Sequence, residues 1–106
     1  MKIQNKYQVE VWIGLAKVKS IYPESIIDAN SAYVNVLALA RSRSDFRRKV
    51  NIAVANKELL LMRMEDIEPL ISRIENFKVP KVILDLAKQL VDFPSMAAFA
   101  KFHTYD

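Results

Sequence analysis

Residues 32–64 read AYVNVLALA RSRSDFRRKV NIAVANKELL LMRM, and how this stretch divides decides the fold. Its first part, Tyr33-Val34-Asn35-Val36-Leu37-Ala38-Leu39-Ala40, is apolar, partly β-branched and free of turn formers. That pattern fits a strand with both faces at least partly covered; a helix is the competing reading, because Ala38, Leu39 and Ala40 suit one. Arg41-Ser42-Arg43-Ser44-Asp45 then breaks the run. Ser42 and Asp45 stand at capping-box spacing, with Asp where Glu is usual, and Ser44 is an alternative N-cap. A helix is expected over 45–56. Phe46, Val50, Ala53 and Val54 share one face of it, and Arg47, Arg48 and Asn51 fall opposite. Asn56 can close it in the left-handed conformation that glycine usually supplies. Leu59-Leu60-Leu61-Met62-Arg63-Met64 reads as the next strand. A strand, helix and strand in this order form a right-handed crossover.

Upstream, residues 7–18 alternate. Tyr7, Val9, Val11, Ile13 and Leu15 are expected to face the core, with Gln8, Glu10, Trp12, Gly14 and Ala16 on the other side. Trp12 is then either covered by a loop or helix or is an exposed aromatic anchor for a partner, since tryptophan is enriched at binding hot spots. Gly14 marks a bulge or a close backbone approach. Residues 19–31 form a long connection with turn signals at Tyr22-Pro23 and Asp28-Ala29-Asn30-Ser31, and Pro23-Glu24-Ser25-Ile26-Ile27 suits one helical turn. If the first two strands pair antiparallel, the crossover lands the third beside the first, giving the order 2-1-3.

Downstream, Glu65-Asp66-Ile67-Glu68-Pro69 has the acidic residues and proline of a helix start, and a short helix is expected to about Asn76. Ile67, Leu70, Ile71, Ile74 and Phe77 would form its apolar stripe. Phe77-Lys78-Val79-Pro80 interrupts, and a further helix is expected over 80–92 with Val82, Ile83, Leu86, Leu90 and Phe93 on its apolar face. The tail from Met96 is too apolar for a free end and is expected to dock, as a short edge strand. The whole is expected to be one α+β domain over 1–106, in the order β-β-α-β-α-α. Its antiparallel sheet has three strands, or four with the tail. The pattern is half ferredoxin-like, with the helices packed on one face of the sheet.

The totals narrow the chemistry. The chain has 106 residues, 52% of them hydrophobic, enough for a core without staples. It has no cysteine, which excludes thiol catalysis, thiolate metal sites and disulfides. It has one glycine, which excludes glycine-rich phosphate loops. His103 is the only histidine, so a histidine-based triad or a two-histidine zinc site cannot be built within one chain. No apolar run is long enough to span a membrane. Met1-Lys2-Ile3-Gln4-Asn5-Lys6 lacks a signal-peptide core, and a cytoplasmic protein is the expectation. Glu65, Asp66 and Glu68 lack the spaced ligands of a calcium loop, and helix-start chemistry accounts for them.

Arg41, Arg43, Arg47, Arg48 and Lys49, offset by Asp45, form the one cluster that resists a structural account. Cations oppose the dipole at a helix N-terminus, whereas anions are drawn there. The net charge of +4 permits anionic partners without demanding them. The expectation is therefore a small non-enzymatic protein-binding module without metal or cofactor. An inhibitor of the immunity or antitoxin kind is its most concrete form. It would bind an acidic protein surface, or a second copy of itself, through Trp12 and the basic cluster. The alternative is a nucleic-acid-binding module using the same cations on phosphates.

Overall fold

The two-residue alternation that opens the chain becomes β1 (Glu10–Ser20), which pairs antiparallel with β2 (Ser31–Ala40) from Glu10 opposite Ala40 to Val18 opposite Ala32. The structure, a computed structural model, describes residues 8–21, 31–101 and 103–105. The expected helical turn at 23–27, the start of the first strand at Tyr7 and the tail residue Phe102 lie outside these. Helix α1 (Arg43–Asn56) follows β2, and β3 (Leu59–Pro69) then pairs antiparallel with the free side of β1. The order of the three long strands is β3-β1-β2, the 2-1-3 arrangement expected. Two short helices, α2 (Leu70–Asn76) and α3 (Lys81–Asp92), come next. The tail docks on the outer side of β2 as two short pieces, β4 (Ala98–Phe99) and β5 (His103–Tyr105). The result is the expected α+β architecture.

Helix α1 starts where the sequence places its cap. Ser42 is the N-cap and its Oγ accepts the Asp45 N–H at 3.1 Å, while the Asp45 carboxylate accepts the Arg41 N–H at 3.0 Å. The left-handed residue at the other end is Glu58 (φ 60°), not Asn56. The helix runs on to Asn56, and the reversal into β3 falls in the two-residue turn beyond it.

The helices occupy both faces of the sheet, which corrects the one-face expectation. On one face Ala16, Val18, Ala32, Val34, Val36, Ala38 and Ala40 pack under Phe46, Val50 and Val54 of α1. On the other, Ile13 and Leu37 pack under Leu70 of α2 and Ile83, Ala87 and Leu90 of α3. The cause is β2 itself, which is apolar at even and odd positions and needs cover on both sides. The small alanine and valine side chains on the α1 side keep that surface low, so the Phe46 ring reaches the sheet. Each such fully buried large side chain contributes about 1.5–3 kcal/mol of transfer free energy.

Gly14 lies beneath that ring. A Cβ there would stand 2.8 Å from Met64 Cε and 2.9 Å from Phe46 Cε2, so a side chain at this position forces its neighbours to move. The bulge suggested for Gly14 is on the partner strand. Between Ile13 and Leu15, β3 passes from Glu68 to Glu65, so Asp66 and Ile67 face a single residue of β1. Asp66 takes a positive φ of 54° to accommodate this, a conformation aspartate tolerates better than most residues. A second irregularity, between Lys17 and Val18, leaves Met62 as an extra residue.

The acidic segment therefore does not start a helix. Glu65 and Glu68 pair with Leu15 and Ile13 inside β3, and Ile67 is buried on the α1 side. Pairing with β1 outweighs the local helix-start signal. Of the stripe expected on the following helix, Ile67 is buried in β3 and Leu70 on α2, while Ile71, Ile74 and Phe77 are exposed.

Candidate functional site

The basic cluster divides once it is folded. Lys49 is half-buried and donates to the Leu39 carbonyl oxygen of β2 at 2.7 Å, with Asp45 3.7 Å away. Arg48 donates to Asp45 Oδ1 at 2.9 Å along the helix surface. These two cations serve the start of α1. The Arg41 N–H, ahead of the neighbouring Arg48 and Lys49 and against a partial desolvation, holds the Asp45 carboxyl below its ordinary value near 3.8. Arg41, Arg43 and Arg47 are exposed. The cations that oppose the helix dipole are thus offset by one carboxylate at the third helical position. Glu65 and Glu68 have their own partners: Glu65 pairs with Arg63 at 2.7 Å, and Glu68 with Arg73.

Trp12 is partly buried. Its side of β1 is the side α1 covers, and its ring stacks on Phe46 with centroids 6.5 Å apart. The indole Nε1 is buried and has no hydrogen-bond partner in the structure. Of the two readings for this residue, cover by a helix is the one the fold realises. Of the expected site residues, Trp12 is thus partly buried against Phe46 and Lys49 is tied to β2.

Arg43 goes elsewhere. It lines a cleft of about 720 Å³ between the sheet and the α2–α3 connection, within the range of small-ligand pockets. Ile13, Ile67 and Ile83 supply apolar lining, and Phe77, 64% exposed, stands at its wall. Arg43, Arg73 and Lys78 bring positive charge to it, and Asp66 and Glu68 negative charge. Arg73 is already committed. It pairs with Glu68 and donates from Nη2 to the Asp66 carbonyl oxygen at 2.8 Å, fastening α2 to the bulge. Arg43 and Lys78 are the cations of the cleft with no such tie among the described contacts.

Only Arg43 of these cleft residues stands out in the sequence as a candidate. The interruption at Phe77-Lys78-Val79-Pro80 was visible, but nothing local says that it folds back over Ile13. Arg73 carried no signal, because its partner Glu68 reads as part of a helix start. Among the described residues no group of three His, Asp or Glu side chains is placed to hold a metal ion. Among the described residues no helix is long and apolar enough to cross a membrane. No family model, curated protein or solved structure matches the chain.

Proposed function

We propose that this chain is a non-enzymatic protein-binding module whose cleft receives an acidic, apolar-anchored segment of a partner protein. The observation that carries the reading is the joining of Arg43 and Lys78 to a cleft lined by Ile13, Ile67 and Ile83 and walled by exposed Phe77. An apolar side chain entering the cleft leaves water, while a carboxylate beside it meets the two cations. Further exposed apolar groups on the same helical layer, Ile71, Ile74, Val82 and an 81%-exposed Phe93, extend the adhesive surface. In its most concrete form the module is an inhibitor of the immunity or antitoxin type, the bound segment belonging to a partner whose activity the complex blocks.

Selection of a random peptide library on the immobilised chain tests this. Peptides with an aromatic or aliphatic residue next to Asp or Glu are expected, and their binding should be lost in Arg43→Glu/Lys78→Glu. Selection of basic or purely polar peptides, or binding indifferent to both substitutions, overturns the reading.

Nucleic-acid phosphate is the second reading, supported by the exposure of Arg41, Arg43 and Arg47 around the first turn of α1. It predicts affinity for RNA or DNA that falls steeply with salt and drops with Arg47→Glu. Retention that is independent of salt would remove it.

A further inference from the structure

The outer edge of β3 offers a second surface, independent of the cleft. Among the described residues no strand pairs with it, although the strand is 11 residues long. Long unpaired edges invite pairing with another chain. Leu60 and Met62 stand on this strand 54% and 51% exposed.

Its geometry is symmetric about Met64. The two irregular residues, Met62 and Asp66, lie two positions to either side. Leu61 is opposite Val18 on the α1 side of the sheet, and Ile67 is buried on that same side. Arg63 and Glu65, opposite Lys17 and Leu15, share the other side, and Leu60 and Glu68 follow them there. The order of faces therefore reads the same outward from Met64 in both directions. Antiparallel neighbours set side chains of the same face opposite one another. A second copy, related by a two-fold axis at Met64, matches this edge in the order of its faces, while setting Leu60 against Glu68 and Met62 against Asp66. Irregular residues meet irregular residues, Leu61 meets Ile67, and Arg63 meets Glu65 of the second copy, twice over. Moving the axis to Leu61 would instead set Met62 against Leu60 and Arg63 against Leu59, which spoils both the face match and the charge match.

We infer that β3 is the seam of a symmetric homodimer, formed by antiparallel edge-to-edge pairing centred on Met64. Arg63 and Glu65 already attract one another within a chain at 2.7 Å, so in the dimer the four charges form an alternating square. Both side chains are more than one-third exposed, at 56% and 41%, so substitutions there leave the core intact.

Sedimentation equilibrium of the full chain across the micromolar range is expected to show a reversible dimer. Arg63→Glu places like charges opposite each other twice and should weaken the dimer about tenfold, as should Glu65→Arg. The double reversal Arg63→Glu/Glu65→Arg should restore it. The chain has no native cysteine, so cross-linking reads the register directly. A mixture of Arg63→Cys and Glu65→Cys chains should oxidise to a covalent dimer faster than either chain alone. A monomer throughout the range, a dimer indifferent to the charge reversals, or equal cross-linking in all three samples overturns the inference.

Discussion

Replacing Gly14 by alanine tests the packing on which the α1 side of the fold depends. The added Cβ would meet Met64 Cε at 2.8 Å, Phe46 Cε2 at 2.9 Å and Ile67 Cγ1 at 3.3 Å. Favourable carbon–carbon contact is at about 3.5–4.0 Å. The Met64 methyl is the end of a flexible side chain and can swing aside. The Phe46 ring is fully buried against Trp12 and has nowhere to go without shifting α1. Overpacking of this kind costs about 1–3 kcal/mol. Exchanging glycine for alanine in a strand returns about 0.5–1 kcal/mol of backbone entropy. The net loss is about 1–2 kcal/mol, or a fall in Tm of about 5–15 °C for a domain of this size. Urea unfolding followed by Trp12 fluorescence should show a lower midpoint at unchanged slope. Phe46→Leu should relieve the clash, so Gly14→Ala and Phe46→Leu together cost less than the sum of their separate effects by about 1 kcal/mol. An unchanged midpoint for Gly14→Ala, or strict additivity of the pair, would refute the close approach.

Glu58 holds a left-handed conformation at φ 60°, so Glu58→Gly is expected to raise stability by about 0.5–1 kcal/mol, seen as a higher urea midpoint. Asp45 has a folded pKa below its unfolded value near 3.8, so its contribution is complete above that value and is lost as pH falls through the folded one. Wild type should therefore exceed Asp45→Asn in stability at about pH 6, and the gap should close at about pH 2; a gap that widened on acidification would contradict the sign. Phe77→Ser and Phe93→Ser should each change stability by less than about 0.5 kcal/mol, since both rings are mostly exposed. A larger loss in thermal unfolding would place them in the core rather than on a binding surface.

Much of the fold was legible because its signals are local. The strand at 33–40, the Ser42 cap and the apolar face of α1 follow from periodicity and capping chemistry alone. Alternation showed that β1 has two distinct faces, but period two does not say which face a later helix will cover. That is why Trp12 reads as a possible anchor and is found under Phe46. The acidic segment failed for a related reason. Glu65, Asp66, Glu68 and Pro69 make a sound helix start in isolation, and only the non-local partner β1 turns them into strand. The cleft was hidden altogether, because it exists only where the connection after α2 returns over Ile13.

Asp66 links the cleft and the outer edge of β3, and it permits a test of both at once. Its positive φ makes the bulge that turns Glu68 toward Arg73, and its carbonyl oxygen accepts the second hydrogen bond from that arginine. The same bulge sets the face order on which the Met64-centred pairing depends. A β-branched residue resists this conformation, so Asp66→Val should cost about 1–3 kcal/mol or flatten the bulge. Glycine adopts it freely, so Asp66→Gly should preserve both surfaces while removing the carboxylate. If the backbone is what matters, amide NMR shifts of Arg73, Lys78 and Arg63 will move in the valine variant and stay close to wild type in the glycine variant. If the two variants shift those amides alike, the carboxylate rather than the bulge shapes the region. The edge and the cleft would then be independent of one another.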